Sequence, residues 1–258
     1  MINFYKYQGA GNDFIMIDNR TKMISQQNKI ALAIHNCERR FGVGSDGMIF
    51  IEPHNDLDFV MDFYNPDGSQ SFCGNGSRCA VAFAKKIGVF YGESCRFLAI
   101  DGEHHAEITN DGYKVSMQNV SEISRIDNDY FIDTGSPHYI KYVDNITDWN
   151  LIEFGQKIRY SRKYEPGGTN VNLVEIVSKN EIKVRTYERG VEAETFACGT
   201  GATACALSYA NKLDELEGII DISVKGGDLK VYFSKSKAVY TNIWLEGPAE
   251  LVFEGILM

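Results

Sequence analysis

Two cysteines stand at the head of matching glycine-rich turns. The chain reads FCGNGSRCAVAFAKK from Phe72 and ACGTGATACALSYAN from Ala197, so Cys73 and Cys198 each open a Cys-Gly-x-Gly turn that runs into an Ala/Cys-rich helical stretch. A cysteine at such a point lies beside unpaired backbone N–H groups and the positive end of a helix dipole. That setting favours thiolate, and lowering a thiol pKa from about 8.5 toward 7 makes it a usable base or nucleophile near neutral pH. The same N–H groups form an anion cradle, and glycine lets a carboxylate or phosphate approach the backbone. One cysteine near a helix start is more often a small buried residue than a catalyst. The pairing reverses those odds.

If two such turns converge on one pocket, the chemistry they suit is inversion at carbon. One thiolate removes an α-proton from one face, the opposite thiol returns a proton to the other, and both helix N-termini hold the developing carboxylate dianion. The remaining cysteines, Cys37, Cys79, Cys95 and Cys205, fall within apolar patterns and read as core. No CxxC pair or Cys/His cluster is present, so no metal site is expected.

The elements that must position the two thiols are repeated as well. Phe63-Tyr64-Asn65-Pro66-Asp67-Gly68 precedes Cys73 much as Thr186-Tyr187-Glu188-Arg189-Gly190 precedes Cys198. Gly9-Ala10-Gly11-Asn12, entering the apolar run DFIMID, is echoed by Gly167-Gly168-Thr169-Asn170, entering VNLVEI. The two cysteines are 125 positions apart in 258, as an ancient duplication would leave them. Two similar domains follow: residues 1–120 with Cys73, and 121–247 with Cys198, the last stretch 248–258 packing back on the first.

Alternating apolar residues mark strands, as in LDFVMDFY, where Leu57, Phe59, Met61 and Phe63 share a face. Further strands are expected at INFYKY, DFIMID, MIFIE, GYKVSMQ, NLVEIV, EIKVRTY, GIIDISV, LKVYF and NIWLEG, with turns at Asp101-Gly102, Asp111-Gly112 and Gly226-Gly227-Asp228. Besides the two cysteine-headed helices, one is expected from an N-cap at Ser25 with Ile30, Ile34, Cys37 and Phe41 recurring at three- or four-residue spacing, and another over 148–158. Gly42 to Gly47 lacks the Lys-Ser/Thr of a phosphate loop and reads as a tight connection.

Composition narrows the partners. With 44% apolar and 24% charged residues the chain is an ordinary globular one. A net charge of -9 offers no footprint for nucleic acid or an anionic membrane. The N-terminus has no signal-peptide pattern, and the longest uncharged run, Thr195 to Asn211, is too short and polar to span a bilayer. A cytoplasmic protein acting on a small molecule is expected.

Residues Asn65 to Arg78 (NPDGSQSFCGNGSR), Tyr187-Glu188-Arg189-Gly190, Ala197 to Gly201, Gly9 to Phe14, Gly42 to Gly47, Pro137-His138 and Gly168-Thr169-Asn170 together resemble the diaminopimelate epimerases, in order over essentially the whole chain. The resemblance implies an α+β fold of two pseudo-symmetric halves, each a strand-rich, largely antiparallel sheet wrapped around a central helix. It also implies a cofactor-independent epimerase that interconverts LL- and meso-diaminopimelate. Cys73 and Cys198 match the family's acid/base pair, while Glu188 and His138 match polar residues near the reacting centre, Glu188 suiting the α-ammonium. Asn12, Asn65, Asn170 and Arg189 match ligands of the non-reacting end, and Gly74, Asn75, Gly199 and Thr200 match the cradle for the reacting carboxylate. A homodimer is implied, with Phe253 at a contact position. The chain departs from the family in having Ser136 where Asn is common, Gly47 where Gln occurs, and a loop from Glu188 to Cys198 that is one residue longer.

Three other readings compete. A racemase of the same fold acting on histidine or proline would need no ligands for a second amino acid end. A non-catalytic anion-binding protein would not exchange an α-proton with solvent. A pyridoxal phosphate enzyme would need a Schiff-base lysine, and none lies near either turn.

Overall fold

A computed structural model describes all 258 residues. The chain divides into two compact units, Met1–Val115 with Gly247–Met258, and Ser116–Glu246.

The first unit contains β1 (Ile2–Gly9), β2 (Asn12–Asp18), α1 (Gln26–Asn36), β3 (Gly47–Glu52), β4 (Phe59–Tyr64), α2 (Gly74–Lys86), β5 (Ser94–Ala99) and β6 (Gly102–Ile108), with β7 (Tyr113–Ser116) at its boundary. The second contains β8 (Ile123–Ile126), β9 (Asp129–Asp133), β10 (Pro137–Tyr142), α3 (Leu151–Arg159), β11 (Asn170–Ser178), β12 (Glu181–Glu188), β13 (Ala193–Thr195), α4 (Gly199–Leu213), β14 (Glu217–Val224), β15 (Gly227–Ser236) and β16 (Val239–Gly247). Strand β17 (Glu250–Leu257) pairs antiparallel with β1 in the first unit.

The repeat seen in the sequence is a repeat of topology. Parallel neighbours need a crossover, and each α-helix supplies one: α1 joins β2 to β3, α2 joins β4 to β5, α3 joins β10 to β11, and α4 links β12 to β14 across the short β13. Antiparallel pairings include the hairpins β5–β6, β6–β7 and β14–β15 at the three expected glycine turns. The fold is therefore mixed, sheet-rich α+β, with each unit wrapped around one helix.

Small residues make that wrapping possible. Helix α2 is buried from Gly74 through Ala84 and contacts β1, β2, β3, β4 and β17. A side chain at Gly9 would bring its Cβ to 3.1 Å from Cys79 Sγ, so this strand closes on the helix only because it carries glycine. Helix α4 is buried from Gly199 through Ala210 against β9, β10, β11, β12, β14 and β15. Cys37, Cys79, Cys95 and Cys205 are buried, and for the last three burial pushes the thiol well up, as inert core thiols require.

Two helical expectations are corrected. Helix α1 has its N-cap at Ser25, but it ends at Asn36, and Ile34 and Phe41 are 50% and 83% exposed. Its buried positions are Lys29, Ala33 and Asn36, with the C-cap Cys37 following. Apolar periodicity misled here because a lysine occupies the packed face, where Asp62 and Glu52 hold its ammonium. Helix α3 starts at Leu151 rather than Asp148, because Asn150 caps it by accepting from Glu153 N, while 146–148 form a separate 3₁₀ turn.

Candidate active site

Both cysteines are N-cap residues of the helices they precede, in extended backbone conformations (φ −134° at Cys73, −123° at Cys198). The next residues, Gly74-Asn75 and Gly199-Thr200, carry the first backbone N–H groups of α2 and α4. Cys73 Sγ accepts from Gly76 N at 3.4 Å, whereas Cys198 has no such side-chain cap bond. The two sulfurs thus lie in different hydrogen-bond settings.

In the first unit the Cys73 thiol donates to Asn12 Oδ1 at 3.7 Å, and Asn75 Nδ2 donates to the same oxygen at 3.2 Å. The Asn12 amide is held in turn by Asp46, whose Oδ2 accepts from Asn12 Nδ2 at 2.6 Å. Asp46 belongs to the Gly42–Gly47 connection, which also serves as the frame for Asn12. Lys6 and Arg39 bridge to Asp13, and Arg39 to Asp46. Burial raises Asp13, but Arg39 and Lys6 outweigh it and hold the carboxyl at about 2. Asn65 stands apart from this group: its amide donates to Ser69 and Ser71 hydroxyls within the loop that leads to Cys73. At Gly47 a side chain would place its Cβ 2.3 Å from Phe63 Cε2, so the Phe63 ring fills the space a larger residue would need.

In the second unit the residues form two clusters. Ser136, Asn170 and Arg189 meet: Asn170 Nδ2 and Arg189 Nη2 donate to Ser136 Oγ at 2.9 and 3.3 Å, and Arg189 N donates to Asn170 Oδ1 at 2.8 Å. Glu188 ends β12 beside them. The longer loop after it turns at Glu192 (φ 57°), whose carboxylate is pinned by Arg159, Tyr187 and Gly190 N.

The other cluster leads to Cys198. His138 has no exposed surface; its Nε2 lies 3.0 Å from Thr200 Oγ1, and that hydroxyl lies 3.5 Å from Cys198 Sγ. Asn172 fixes the direction of this chain. Its Nδ2 must donate to the Tyr139 carbonyl and its Oδ1 accepts from Thr186, so Nδ2 also donates to His138 Nδ1. His138 is then protonated on Nε2 and donates to Thr200, whose own proton is left to face the sulfur. His138 reaches Cys198 only through Thr200. Gly201 permits this packing, since a Cβ there would lie 2.9 Å from Asn172 Oδ1 and 3.2 Å from His138 Cε1.

Burial, reinforced by the Arg189 charge, lowers His138 to about 3, so the imidazole is neutral in the folded protein. An unfolded histidine takes up a proton below about 6.5. Between about 6.5 and 3 the unfolded chain therefore binds the extra proton; stability present above that window is lost as pH falls through it. Wild-type protein is expected to lose about 2 kcal/mol more than His138→Gln between pH 6.5 and 5. Urea unfolding at the two pH values checks this, and equal losses would refute it.

Sequence reasoning did not single out Asp46, Arg78, Asn172 or Thr186. A signal was available for Asn172, which lies two residues after Asn170 on the same face of β11 and opposite Thr186 in register.

Comparison with known proteins adds to this geometry. A family model described as diaminopimelate epimerase matches residues 4–123 and 130–252. The chain is 49% identical to the diaminopimelate epimerase of Flavobacterium psychrophilum, over 98% of this chain and 99% of that one. It is 40% identical to that of Aquifex aeolicus, over 99% and 98%. Among solved structures, a PhzF-family phenazine biosynthesis protein from Bacillus anthracis superposes with a TM-score of 0.80 at 15% identity, covering 100% and 99% of the two chains. A hydroxyproline epimerase from Agrobacterium vitis superposes with 0.71 at 11%, covering 98% and 91%. At such identities these two likenesses concern the fold alone.

Proposed function

The chain belongs to the diaminopimelate epimerase family, and from that membership we infer how its two cysteine-headed helices divide the work. It is an isomerase that interconverts LL- and meso-diaminopimelate. The observation that carries the two-thiol reading is the matched placement of Cys73 and Cys198, each an N-cap on the buried central helix of its unit.

In this reading one cysteine as thiolate takes the α-proton, and the electron pair left on carbon delocalises into the carboxylate. The backbone N–H groups of Gly74-Asn75 and Gly199-Thr200 hold that charge. The other thiol then gives its proton to the opposite face, so the thiol and thiolate roles have exchanged at the end of a turnover. Glu188 takes the α-ammonium. Arg189, flanked by Ser136 and Asn170, takes the distal carboxylate, while Asn12 and Asn65 complete the non-reacting end. Incubating LL-diaminopimelate with the protein in deuterated water tests the reading. Meso product labelled at the inverted carbon is expected; unlabelled product, or none, would end it.

We also assign the protein to the cytoplasm and to a homodimer. No helix is long and apolar enough to cross a membrane. Val252, Phe253 and Ile256 on β17 are 56%, 46% and 55% exposed, an apolar edge that a second copy would cover. Phe253→Asp is expected to convert the dimer to monomer in light scattering; unchanged mass would place the contact elsewhere.

A further inference from the structure

Arg78 has no exposed surface and is among the largest fully buried side chains in the chain. It stands five residues after Cys73 on α2. Its Nη2 donates to Asn75 Oδ1 at 2.9 Å, its Nε donates to the Pro248 carbonyl at 3.4 Å, and its Nη1 has no partner. Both acceptors are neutral. Burying a cation without a counter-ion is costly, so such a group calls for an explanation.

The ionised side chains that frame Asn12 pair with one another and not with Arg78. Asp13 from β2 and Asp46 from the connection before β3 are matched by Lys6 from β1 and by Arg39. His104 from β6 stacks on Phe72 and pairs with Asp101. Tyr7 from β1 and Tyr113 from β7 face Cys79, and burial pushes both phenols up, keeping them neutral. Arg78 itself meets only the neutral Asn75 and Pro248 oxygens. Burial lowers it to about 10, while the thiols of Cys79 and Cys73 favour its charged form.

Of those two thiols only one can become the anion. Cys79 is sealed in the core beside Gly9, and burial pushes it far above neutrality. Cys73 is partly exposed, caps α2 and accepts from Gly76 N. Asn12 Oδ1 opposes ionisation, because it accepts from the thiol, but a neutral hydrogen bond at 3.7 Å is weak beside a desolvated full charge. The matching position of the repeat has no such charge: on α4 it is Thr203, whose hydroxyl turns back to Gly199 O at 2.9 Å.

We propose that Arg78 is a positioning residue for Cys73: its buried guanidinium, without a carboxylate partner, fixes the Asn75 amide and supplies the positive charge that stabilises the Cys73 thiolate. The consequence for turnover rests on the two-thiol reading. The acidity of Cys73 does not, so the test is made without substrate.

Iodoacetamide alkylation of the full-length protein across a pH series, with Cys73 and Cys198 peptides followed by mass, reads each thiol separately. Arg78→Met is expected to raise the Cys73 midpoint by about one pH unit, a tenfold loss of thiolate at a given pH. Arg78→Lys, which keeps the charge, is expected to stay close to wild type, and the Cys198 midpoint is expected to stay fixed in both. Should Arg78→Met fail to fold by near-ultraviolet circular dichroism, Arg78→Gln, which keeps a donor for Asn75, carries the same comparison. An unmoved Cys73 midpoint in the neutral variant, or an equal rise in Arg78→Lys, would overturn the proposal while leaving the cysteine substitutions that test the epimerase reading untouched.

Discussion

Cys73→Ala and Cys198→Ala are each expected to lower inversion of LL-diaminopimelate by about a thousandfold, the scale of losing a positioned acid or base. Each variant removes one face's proton carrier and leaves the other. A single remaining thiol can still take an α-proton and return it to the same face. Each variant is therefore expected to wash deuterium into one stereoisomer while producing almost none of the other. The fold should survive, because the change removes only a sulfur at a helix cap and leaves the small-residue packing of α2 and α4 in place. Proton magnetic resonance of the substrate with chiral separation measures both rates. Inversion near the wild-type rate in either variant would exclude the two-thiol mechanism.

The second large effect concerns the far end of the substrate. Arg189 is the full positive charge among the proposed ligands, and its planar fork suits a carboxylate. The Ser136 hydroxyl and the Asn170 amide already orient it. Removing a charged hydrogen-bond partner costs about 1.5–3 kcal/mol, so Arg189→Met is expected to raise the Michaelis constant for diaminopimelate by about ten- to a hundredfold. Ser136→Ala, which removes one neutral group that supports the arginine, should have a milder effect. Lysine keeps the distal amine but lacks the distal carboxylate, so it should be a very poor substrate for the wild-type protein. If steady-state kinetics gave lysine and diaminopimelate equal efficiency, the assigned role of Arg189 would be wrong.

The arrangement also shows why the two thiols need not be equivalent. Cys198 faces a hydroxyl backed by a neutral imidazole, and Cys73 faces an amide oxygen and a backbone N–H. A duplicated motif has thus been given different surroundings in its two copies. Thr203 where the first copy has Arg78, and Thr200 where it has Asn75, are two of the substitutions that separate them.

Much of this molecule was legible before folding was considered. The Cys-Gly-x-Gly turns announced helices because glycine relieves the turn and the small residues after it tolerate burial on all sides. Period-two runs such as Phe59, Met61 and Phe63 marked strands because one face had to be apolar. The strands β5, β6, β8, β9, β10, β13 and β17 were not singled out. Their sequences mix charged, histidine and apolar residues, as in GEHHAEI of β6, and pairing with neighbours rather than local pattern makes them strands. Lys29 shows the same limit on a helix, since a lysine becomes a packed residue only when Glu52 and Asp62 are brought to it from β3 and β4.

For the site, the sequence by itself determined which residues could carry protons and charge: two cysteines, the amides, and Arg189. Only the tertiary structure decided what state and direction those groups have. Asp46 turns the Asn12 amide, Asn172 selects the protonated nitrogen of His138, and Arg78 enters the core with no carboxylate beside it. The reason is physical. Hydrogen-bond polarity and desolvation depend on which donors, acceptors and charges surround a group in space, and those neighbours come from strands and loops remote in sequence.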